Sequence, residues 1–440
     1  MKSRDTICAL ASGPPPSAIA IVRISGSQVR VICDAMLERG LPAPRRSAFG
    51  RFLDVSRDTI DEGLAVFMPG PNSYTGEDTA EFYLHGGAAV IDHALDVICS
   101  FDGTRLAEPG EFTRRAFENG RLDLVEAEGV ADLIDAETRA QKSLALDQLD
   151  GRLSETYAGW RNQLLQALAL LEVSIDFPDE DDAPDQTGGP VFATLTDLQS
   201  ALQEALDDDS VGERIRDGFR VAIIGPPNAG KSSILNRLAR RDAAIVSDIP
   251  GTTRDVVEVR LRIAGQIVWV ADTAGLREAA DTIEAEGIRR AQERAAMSDI
   301  RIQVRSPDTD TDYSTAAEGD ILVFNKMDLT ADTSLQDGVL TMSASTGQGF
   351  SVLEKALSDR IHELAGRTTA PLITRRRHRE ALEAAMFHVT QARSGLELGM
   401  GAELVADDVR LASRALSSLI GEIGVEEVLG SVFSNFCIGK

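Results

Sequence analysis

The residues best suited to chemistry lie in the loop GPPNAGKSS, residues 225–233. This loop follows the apolar run 221–224 and precedes a helix-like segment at 234–238. In a Gly-x-x-x-x-Gly-Lys-Ser motif, backbone N–H groups surround phosphate oxygens, the lysine supplies a cation and the serine hydroxyl reaches Mg²⁺. The order of strand, glycine loop and helix therefore predicts a phosphate-binding P-loop. We expect its nucleotide contacts at Asn228, Ala229, Gly230, Lys231, Ser232 and Ser233.

Three further motifs follow the P-loop in the order typical of a GTPase. Asp272-Thr273-Ala274-Gly275 follows the apolar run 267–270, Asn325-Lys326-Met327-Asp328 follows 321–324, and Ser343-Ala344-Ser345 follows 339–342. The Asp328 carboxylate can accept two hydrogen bonds from guanine, whereas adenine lacks that pair of donors. The sequence therefore predicts GTP as the nucleotide. The expected contacts are Asp272, Thr273, Ala274, Gly275, Asn325, Lys326, Asp328, Ser343, Ala344 and Ser345.

The segment SDIPGTTRD, residues 247–255, is the predicted switch loop. We expect GTP contacts from Ser247, Asp248, Ile249, Pro250, Gly251, Thr252 and Thr253, with Thr253 as a magnesium ligand beside Ser232. Leu276 stands where Ras-like GTPases have the glutamine that orients the attacking water. Two residues offer a substitute, because the Asn228 amide oxygen suits a monovalent cation and Glu284 is an available carboxylate. Alternatives remain, since asparagine also tolerates left-handed turns and Glu284 lies in a charged, solvated stretch.

Composition limits the classes of protein to consider. The 440 residues suggest roughly three domains. No apolar run approaches the ~20 residues of a membrane span, and we expect a cytoplasmic protein. The net charge of -25 argues against broad electrostatic capture of nucleic acid. The basic cluster 375–379 can contact RNA phosphate, although such a cluster is more often a charged helix face, here beside acidic neighbours. The cysteines, Cys8, Cys33, Cys99 and Cys437, show no spacing typical of zinc sites or disulfide frameworks.

The elements around these motifs change character along the chain. Short apolar runs broken by glycine and proline continue to about residue 106 and predict an α/β domain. From residue 122 apolar residues recur at helical spacing, as they do again at Val405, Val409, Ala412, Leu416, Leu419 and Ile423. The acidic run 176–182, with Pro184 and then 188–190, predicts a solvated loop between helices. We therefore predict a multidomain protein of α/β and all-α folds, with the nucleotide domain inserted into a helical domain.

Motifs spread over the whole chain make it resemble the tRNA modification GTPases of the MnmE (TrmE) type. They are Asp5-Thr6-Ile7, Val22-Arg23-Ile24-Ser25-Gly26, Ser73-Tyr74-Thr75-Gly76-Glu77-Asp78, Pro109-Gly110-Glu111-Phe112, Arg121-Leu122-Asp123-Leu124, Ile175-Asp176-Phe177-Pro178, Gly251-Thr252-Thr253-Arg254-Asp255 and Phe436-Cys437-Ile438-Gly439-Lys440. The resemblance implies a folate-binding and dimerisation domain at 1–118, helical parts at 119–214 and 371–440, and a Ras-like P-loop GTPase domain at 215–370. The second helical part carries the Cys-Ile-Gly-Lys motif.

The resemblance also implies an activity. Members of this family are potassium-dependent GTPases that work as homodimers with an FAD flavoprotein of the MnmG (GidA) type. They add an aminomethyl-type group, often carboxymethylaminomethyl, to the wobble uridine of certain tRNAs. The implied cofactors are GTP, Mg²⁺, K⁺ and 5-formyl-tetrahydrofolate or a related folate. Carried over by motif, the residues are Arg23, Glu81, Arg121 and Lys440 for folate, Asn228, Ser247, Ile249 and Thr252 for potassium, Ser232 and Thr253 for magnesium, and Glu284 for catalysis.

Some points stay open at this level. Cys437 is either a thiol nucleophile or a packed side chain between Phe436 and Ile438. The loop SGPPPSA, residues 12–18, stands where the family usually has Arg-Gly-Gly, which leaves any folate or partner contact there in question. The stretch RIQVR, 301–305, is more polar than a buried strand. The alternative function is a GTPase switch in ribosome assembly, against which the folate-type domain and the Cys-Ile-Gly-Lys motif argue.

Overall fold

The computed structural model describes most of the chain, in two compact units. The described residues are 5–176, 183–207, 211–241, 258–272, 297–309, 312–314, 316–330, 337–366 and 371–421, with Phe433, Phe436 and Gly439. Unit 1 comprises Met1–Ile134, Leu146–Gln199 and Ala381–Lys440, and unit 2 comprises Asp135–Ala145 and Ser200–Glu380. In the described part of the chain, we find no helix with the length and apolar character needed to cross a membrane.

Strands and helices alternate up to β6, a run of helices follows, strands return from β7 to β12, and helices end the described chain. The strands are β1 (Thr6–Leu10), β2 (Ser17–Ser25), β3 (Ser47–Leu53), β4 (Thr59–Met68), β5 (Thr79–Gly86), β6 (Thr104–Leu106), β7 (Phe219–Ile224), β8 (Glu258–Ile263), β9 (Gln266–Asp272), β10 (Ile300–Arg305), β11 (Ile321–Phe324) and β12 (Leu340–Thr341). The helices are α1 (Val29–Met36), α2 (Ala88–Cys99), α3 (Glu111–Glu118), α4 (Leu124–Asp135), α5 (Arg139–Leu149), α6 (Arg152–Asp176), α7 (Ala183–Asp207), α8 (Val211–Asp217), α9 (Lys231–Arg241), α10 (Phe350–Leu364), α11 (Arg376–Glu397) and α12 (Ala402–Ile420). The predicted combination of α/β and all-α folds is confirmed.

Unit 1 begins with a six-stranded sheet in the order β3-β4-β5-β2-β1-β6. Its neighbours pair antiparallel except β1 and β6, which are parallel. Because side chains alternate along a strand, Cys8, Val22 and Ile24 enter the core shared with α1 and α2. Ile7 and Ala9 face the other way and pack with Phe112 of α3. The two faces of β1 therefore serve two separate apolar clusters.

The long helices α6 and α12 pack against each other in unit 1. Leu164 and Leu171 of α6 are buried, as are the predicted positions Val405, Val409, Ala412, Leu416 and Leu419 of α12. Arg161 donates a hydrogen bond across the pair to the Ser417 hydroxyl at 2.9 Å. The three- and four-residue spacing of the apolar side chains therefore predicted the contact face correctly.

Part of the loop predicted at 176–190 is helical, and residues 177–182 of that loop lie outside the described residues. Helix α7 already begins at Ala183 and includes Pro190, so the proline and glycine run at 188–190 does not end it. The next turns of α7 bury Val191, Leu195 and Leu198, which favours continuation of the helix through its weak start. Tertiary packing therefore overrides the local breaker signal at these residues.

Unit 2 contains a second six-stranded sheet in the order β12-β11-β10-β7-β9-β8. All pairs are parallel except the β8–β9 hairpin. The polar strand β10 keeps a normal core face, because Ile300, Ile302 and Val304 are buried in it. On the opposite face, Arg301 and Gln303 both donate to Asp320, at 2.8 and 2.7 Å. The polar residues of β10 thus satisfy a buried carboxylate and leave the hydrophobic core intact.

Candidate functional site

The P-loop lies between the end of β7 and the start of α9, at the carboxyl edge of the parallel sheet. A Cβ on Gly225 would lie 2.2 Å from the Val304 carbonyl oxygen, so only glycine lets the loop pass this close to β10. Lys231 is 6% exposed, and its ammonium donates to the carbonyls of Gly225 and Pro226 at 2.8 and 2.9 Å. The lysine therefore spans the loop and holds its cation where phosphate is expected.

Ser232 and Ser233 are exposed in the first turn of α9. The N–H groups of a first helical turn have no partner within the helix and favour an anion. Asn228, also exposed, has a left-handed backbone with φ of 62°. This geometry agrees with the alternative that Asn228 serves a left-handed turn. Because the residue is exposed, its amide is also accessible to a cation.

Asn325 joins three of the predicted motifs. Its amide nitrogen donates to the Ala229 carbonyl, and its amide oxygen accepts the N–H of Ala344, both at 2.9 Å. The side chain is 2% exposed, and a Cβ on Gly230 would lie 2.2 Å from its nitrogen. One buried amide therefore positions the P-loop and the 343–345 loop relative to strand β11.

Asp328 is exposed at the mouth of this junction. The Ser345 hydroxyl donates to its carboxylate at 3.3 Å. The pKa of Asp328 lies below its usual value, chiefly through hydrogen bonding from Ser343, with Ser345 and Lys326 adding to the effect. Lys326 itself pairs with Asp308 at 2.8 Å. The carboxylate is therefore ionised and able to accept hydrogen bonds from a base.

Several predicted nucleotide residues lie outside the part of the chain that the structure describes. They are Ser247, Asp248, Ile249, Pro250, Gly251, Thr252, Thr253, Thr273, Ala274, Gly275 and Glu284. The backbone of Asp272 is described as the last residue of β9, whereas its side chain is not. Cys437 and Lys440 also fall outside the described residues. The structure therefore brings together the phosphate and base motifs, and the switch and catalytic assignments stay predictions.

Two of the predicted folate residues are direct neighbours in unit 1. Arg23 on β2 is the cross-strand partner of Glu81 on β5, and its Nε donates to that carboxylate at 2.9 Å. The Tyr83 hydroxyl donates to the other Glu81 oxygen at 2.9 Å. The guanidinium of Arg23 also lies over the Tyr74 and Phe112 rings, 5.4 and 5.7 Å from their centroids. Arginine, carboxylate and aromatic rings thus form one cluster on the face of the sheet away from α1 and α2.

Arg121 follows helix α3 and is held by a close approach. A Cβ on Gly76 would lie 2.9 Å from the Asn119 Cβ and 3.3 Å from the Arg121 Cγ. Asn119 donates to the Thr75 carbonyl at 2.6 Å, which fixes the chain just before Arg121. Gly439 lies at the end of β1, where an added Cβ would meet the Leu10 carbonyl at 2.0 Å. The described end of the chain therefore packs against the first strand.

Beside the same sheet lies a buried charge network that the sequence motifs did not predict. Arg115 is 4% exposed and contacts Asp5, Glu77 and Glu111 at 2.9, 3.1 and 3.0 Å. Burial alone would raise the pKa of Glu111, but hydrogen bonds from Arg105, the Glu108 N–H and Arg115 bring it below its usual value. The spacing of Glu111 and Arg115, four apart on one helix, was the available signal.

The sheet and the junction at Asn325 define a P-loop protein that binds guanine nucleotide. Family models match as the MnmE helical domain over residues 124–437 and as the GTP-binding protein TrmE N-terminus over 6–121. The tRNA modification GTPase MnmE of Hyphomonas neptunium is 59% identical over 100% of both chains. That of Parvibaculum lavamentivorans is 49% identical over 99% of this chain and 100% of its own. Among solved structures, the G domain of the T. maritima FeoB iron transporter is 21% identical with a TM-score of 0.27, over 33% of this chain and 99% of that chain.

The chain belongs to the MnmE family of tRNA modification GTPases. The family resemblance predicted from scattered motifs is therefore confirmed over the full length of the sequence.

Proposed function

We propose that this protein hydrolyses GTP in a potassium-dependent manner and takes part in modifying the wobble uridine of certain tRNAs, together with an FAD flavoprotein of the MnmG type. The observation that carries the proposal is the junction at Asn325, which gathers the P-loop, the Asn-Lys-Met-Asp motif and the 343–345 loop around one buried side chain. The full-length relatives, named for tRNA modification, supply the substrate class.

In the proposed reaction, this chain's residues mainly bind and orient. Lys231 and the first turn of α9 bind the phosphates, while Asp328 accepts hydrogen bonds from the guanine base. Ser232 and Thr253 would hold Mg²⁺, which neutralises charge on the phosphates. Asn228 would hold K⁺ with Ser247, Ile249 and Thr252, because its amide makes no hydrogen bond within the described residues and stays available. Glu284 is the proposed catalytic carboxylate, and Cys437 a proposed second reactive group.

The sheet of unit 1 supports a folate site. A reduced folate presents carboxylates and an amino-substituted pterin ring, which match guanidinium groups and a carboxylate respectively. Arg23 and Glu81 are partly exposed, with side-chain exposures of 22% and 15%, so a ligand can reach both. The rings of Tyr74 and Phe112 beside them offer apolar contact. We propose that Arg23, Glu81, Arg121 and Lys440 bind 5-formyl-tetrahydrofolate or a related folate.

The family resemblance also supports a cytoplasmic homodimer and domain boundaries at 118, 214 and 370. The oligomeric state of the purified protein in solution tests the proposed homodimer, and limited proteolysis tests the proposed domain boundaries.

The rate of GTP turnover tests the proposed potassium-dependent hydrolysis. We expect purified protein to hydrolyse GTP faster in KCl than in NaCl, and Asn228→Ala to remove that difference. Lys231→Ala should abolish turnover, while Arg262→Gln, an exposed change on β8, should leave it unchanged. Equal rates in both salts for the unaltered protein would refute potassium dependence.

Nucleoside analysis of cellular tRNA tests the proposed role in wobble-uridine modification. Cells lacking this protein should accumulate tRNA with unmodified wobble uridine, and the intact gene should restore the modification. Unchanged wobble uridine together with altered ribosome profiles would instead support the alternative of an assembly switch.

A further inference from the structure

The hairpin of β8 and β9 connects the two predicted switch motifs. Strand β8 begins at Glu258, shortly after the switch segment 247–255, and β9 ends at Asp272, the first residue of Asp-Thr-Ala-Gly. Within the described sheet, β8 is the edge strand and pairs with β9 alone, in antiparallel register. A shift of the hairpin would therefore be felt at both motifs at once.

Arg260 and Trp269 face each other across this hairpin, and each contacts a residue at or beside a helix of unit 2. The pair is directly opposed in the register, and the guanidinium lies 5.4 Å from the centroid of the indole ring. Arg260 donates to the Glu137 carboxylate, just before α5, at 2.6 Å. The Trp269 indole N–H donates to the Asp217 carbonyl, at the end of α8, at 2.9 Å.

The two helical partners are themselves joined. The Gln141 side chain donates to the Arg216 carbonyl at 2.8 Å, which links α5 to α8. The Gln141 side-chain oxygen accepts a hydrogen bond from the Glu137 N–H at 3.0 Å, which fixes the backbone that carries the Glu137 carboxylate. Gly218 leaves no spare room, since a Cβ there would lie 3.0 Å from the indole of Trp269. The hairpin, α5 and α8 are therefore connected by one network of contacts, here called the hairpin junction.

The chemistry of this junction requires arginine and glutamate. A planar guanidinium can stack on an indole face while donating in its own plane to a carboxylate, which lysine cannot do. The side chains of Arg260 and Glu137 are 20% and 39% exposed, so the pair is partly shielded from solvent. Arg262, two residues along the same side of β8, is exposed and makes no such pair.

We propose that Arg260 and Glu137 are positioning residues that transmit the nucleotide state from the hairpin between the switch motifs to the helical segment at α5. The proposal rests on the proposed function, because it assigns the path by which GTP hydrolysis influences chemistry elsewhere in the chain. Neither residue belongs to a predicted nucleotide-binding motif, so we expect their replacement to affect coupling and to leave GTP binding in place.

Hydrogen exchange of the full-length protein tests the path without any tRNA. We expect the backbone amides of 135–145 to exchange at different rates with GDP and with GDP plus aluminium fluoride. Arg260→Gln and Glu137→Gln should reduce that difference at least threefold, and Arg262→Gln should retain it. Equal exchange in both nucleotide states of the unaltered protein overturns the proposal, as does a full difference in Arg260→Gln.

A second measurement separates this proposal from the proposed function. In cells that depend on the gene, Arg260→Gln should lower the modified fraction of wobble uridine at least fivefold while the purified variant keeps GTP turnover within twofold. Reversing both charges, with Arg260→Glu and Glu137→Arg together, should recover part of the modification. Normal modification in Arg260→Gln refutes the coupling role. Unchanged wobble uridine in cells that lack the protein instead refutes the proposed function, and the exchange result then stands alone.

Discussion

Replacing Asn325 by alanine removes the side chain that joins three motifs. Two buried hydrogen bonds are lost, to Ala229 and from Ala344. Each contributes about 1 kcal/mol net, and a buried group left without a partner adds about 1–3 kcal/mol. We therefore expect the free energy of unfolding of unit 2 to fall by about 3–5 kcal/mol. The misplaced 343–345 loop should also lower GDP affinity at least ~10-fold, which corresponds to about 1.4 kcal/mol.

Urea unfolding of the nucleotide-free protein and titration with a fluorescent GDP analogue measure the two quantities. Asn325→Asp serves as the matched variant, because it keeps an oxygen for the Ala344 N–H and places a second oxygen against the Ala229 carbonyl. Its GDP affinity should also fall, since that second contact becomes repulsive. If Asn325→Ala unfolds at the same urea concentration and binds GDP as tightly as the unaltered protein, the junction does not organise the site.

Three other predictions follow from buried groups. Burial raises the pKa of Tyr313 to about 12, and its hydroxyl donates to the Val323 carbonyl at 2.8 Å, so its contribution is complete below pH 10 and is lost as pH rises toward 12. Absorbance titration of Tyr313→Phe should lack one late-titrating tyrosine, and an unchanged curve would contradict the assignment. Arg115→Met should destabilise unit 1 by about 3–5 kcal/mol in urea because it strands buried carboxylates, whereas the exposed control Arg114→Met should cost under about 1 kcal/mol. Burial raises the pKa of Cys33 to about 12, so iodoacetamide at pH 8 should alkylate the partly exposed Cys99 before Cys33. Peptide masses measure both alkylation rates, and equal rates for the two cysteines would refute the burial of Cys33.

The motifs allowed a nucleotide site to be predicted from the sequence because their chemistry is local. Glycine at 225 and 230, Lys231 and the Asn-Lys-Met-Asp sequence each carry a requirement that holds wherever a P-loop sheet forms. The structure places Asn325 between residues 229 and 344, which spacing alone does not reveal, since the three residues meet through the parallel order of β7, β10, β11 and β12.

Other features depended on long-range contacts that a sequence pattern does not encode. The continuation of α7 through Pro190 follows from packing of its apolar face. The polar residues of β10 look unsuited to a buried strand until Asp320 is seen beside Arg301 and Gln303. Arg115 contacts Asp5, 110 residues earlier, and no local rule joins them.

The contact between Gly110 and the end of the described chain has a consequence for biosynthesis. A Cβ on Gly110 would lie 2.8 Å from the Phe433 carbonyl, and Phe433 and Phe436 pack with Ala127 against Phe117. At ~5–20 residues per second, roughly 15–65 s of translation separate the emergence of residue 110 from that of residue 433. During that interval helices α3 and α4 of the nascent chain expose the apolar surface of Phe117 and Ala127, and this surface is covered only after residue 433 has left the ribosome.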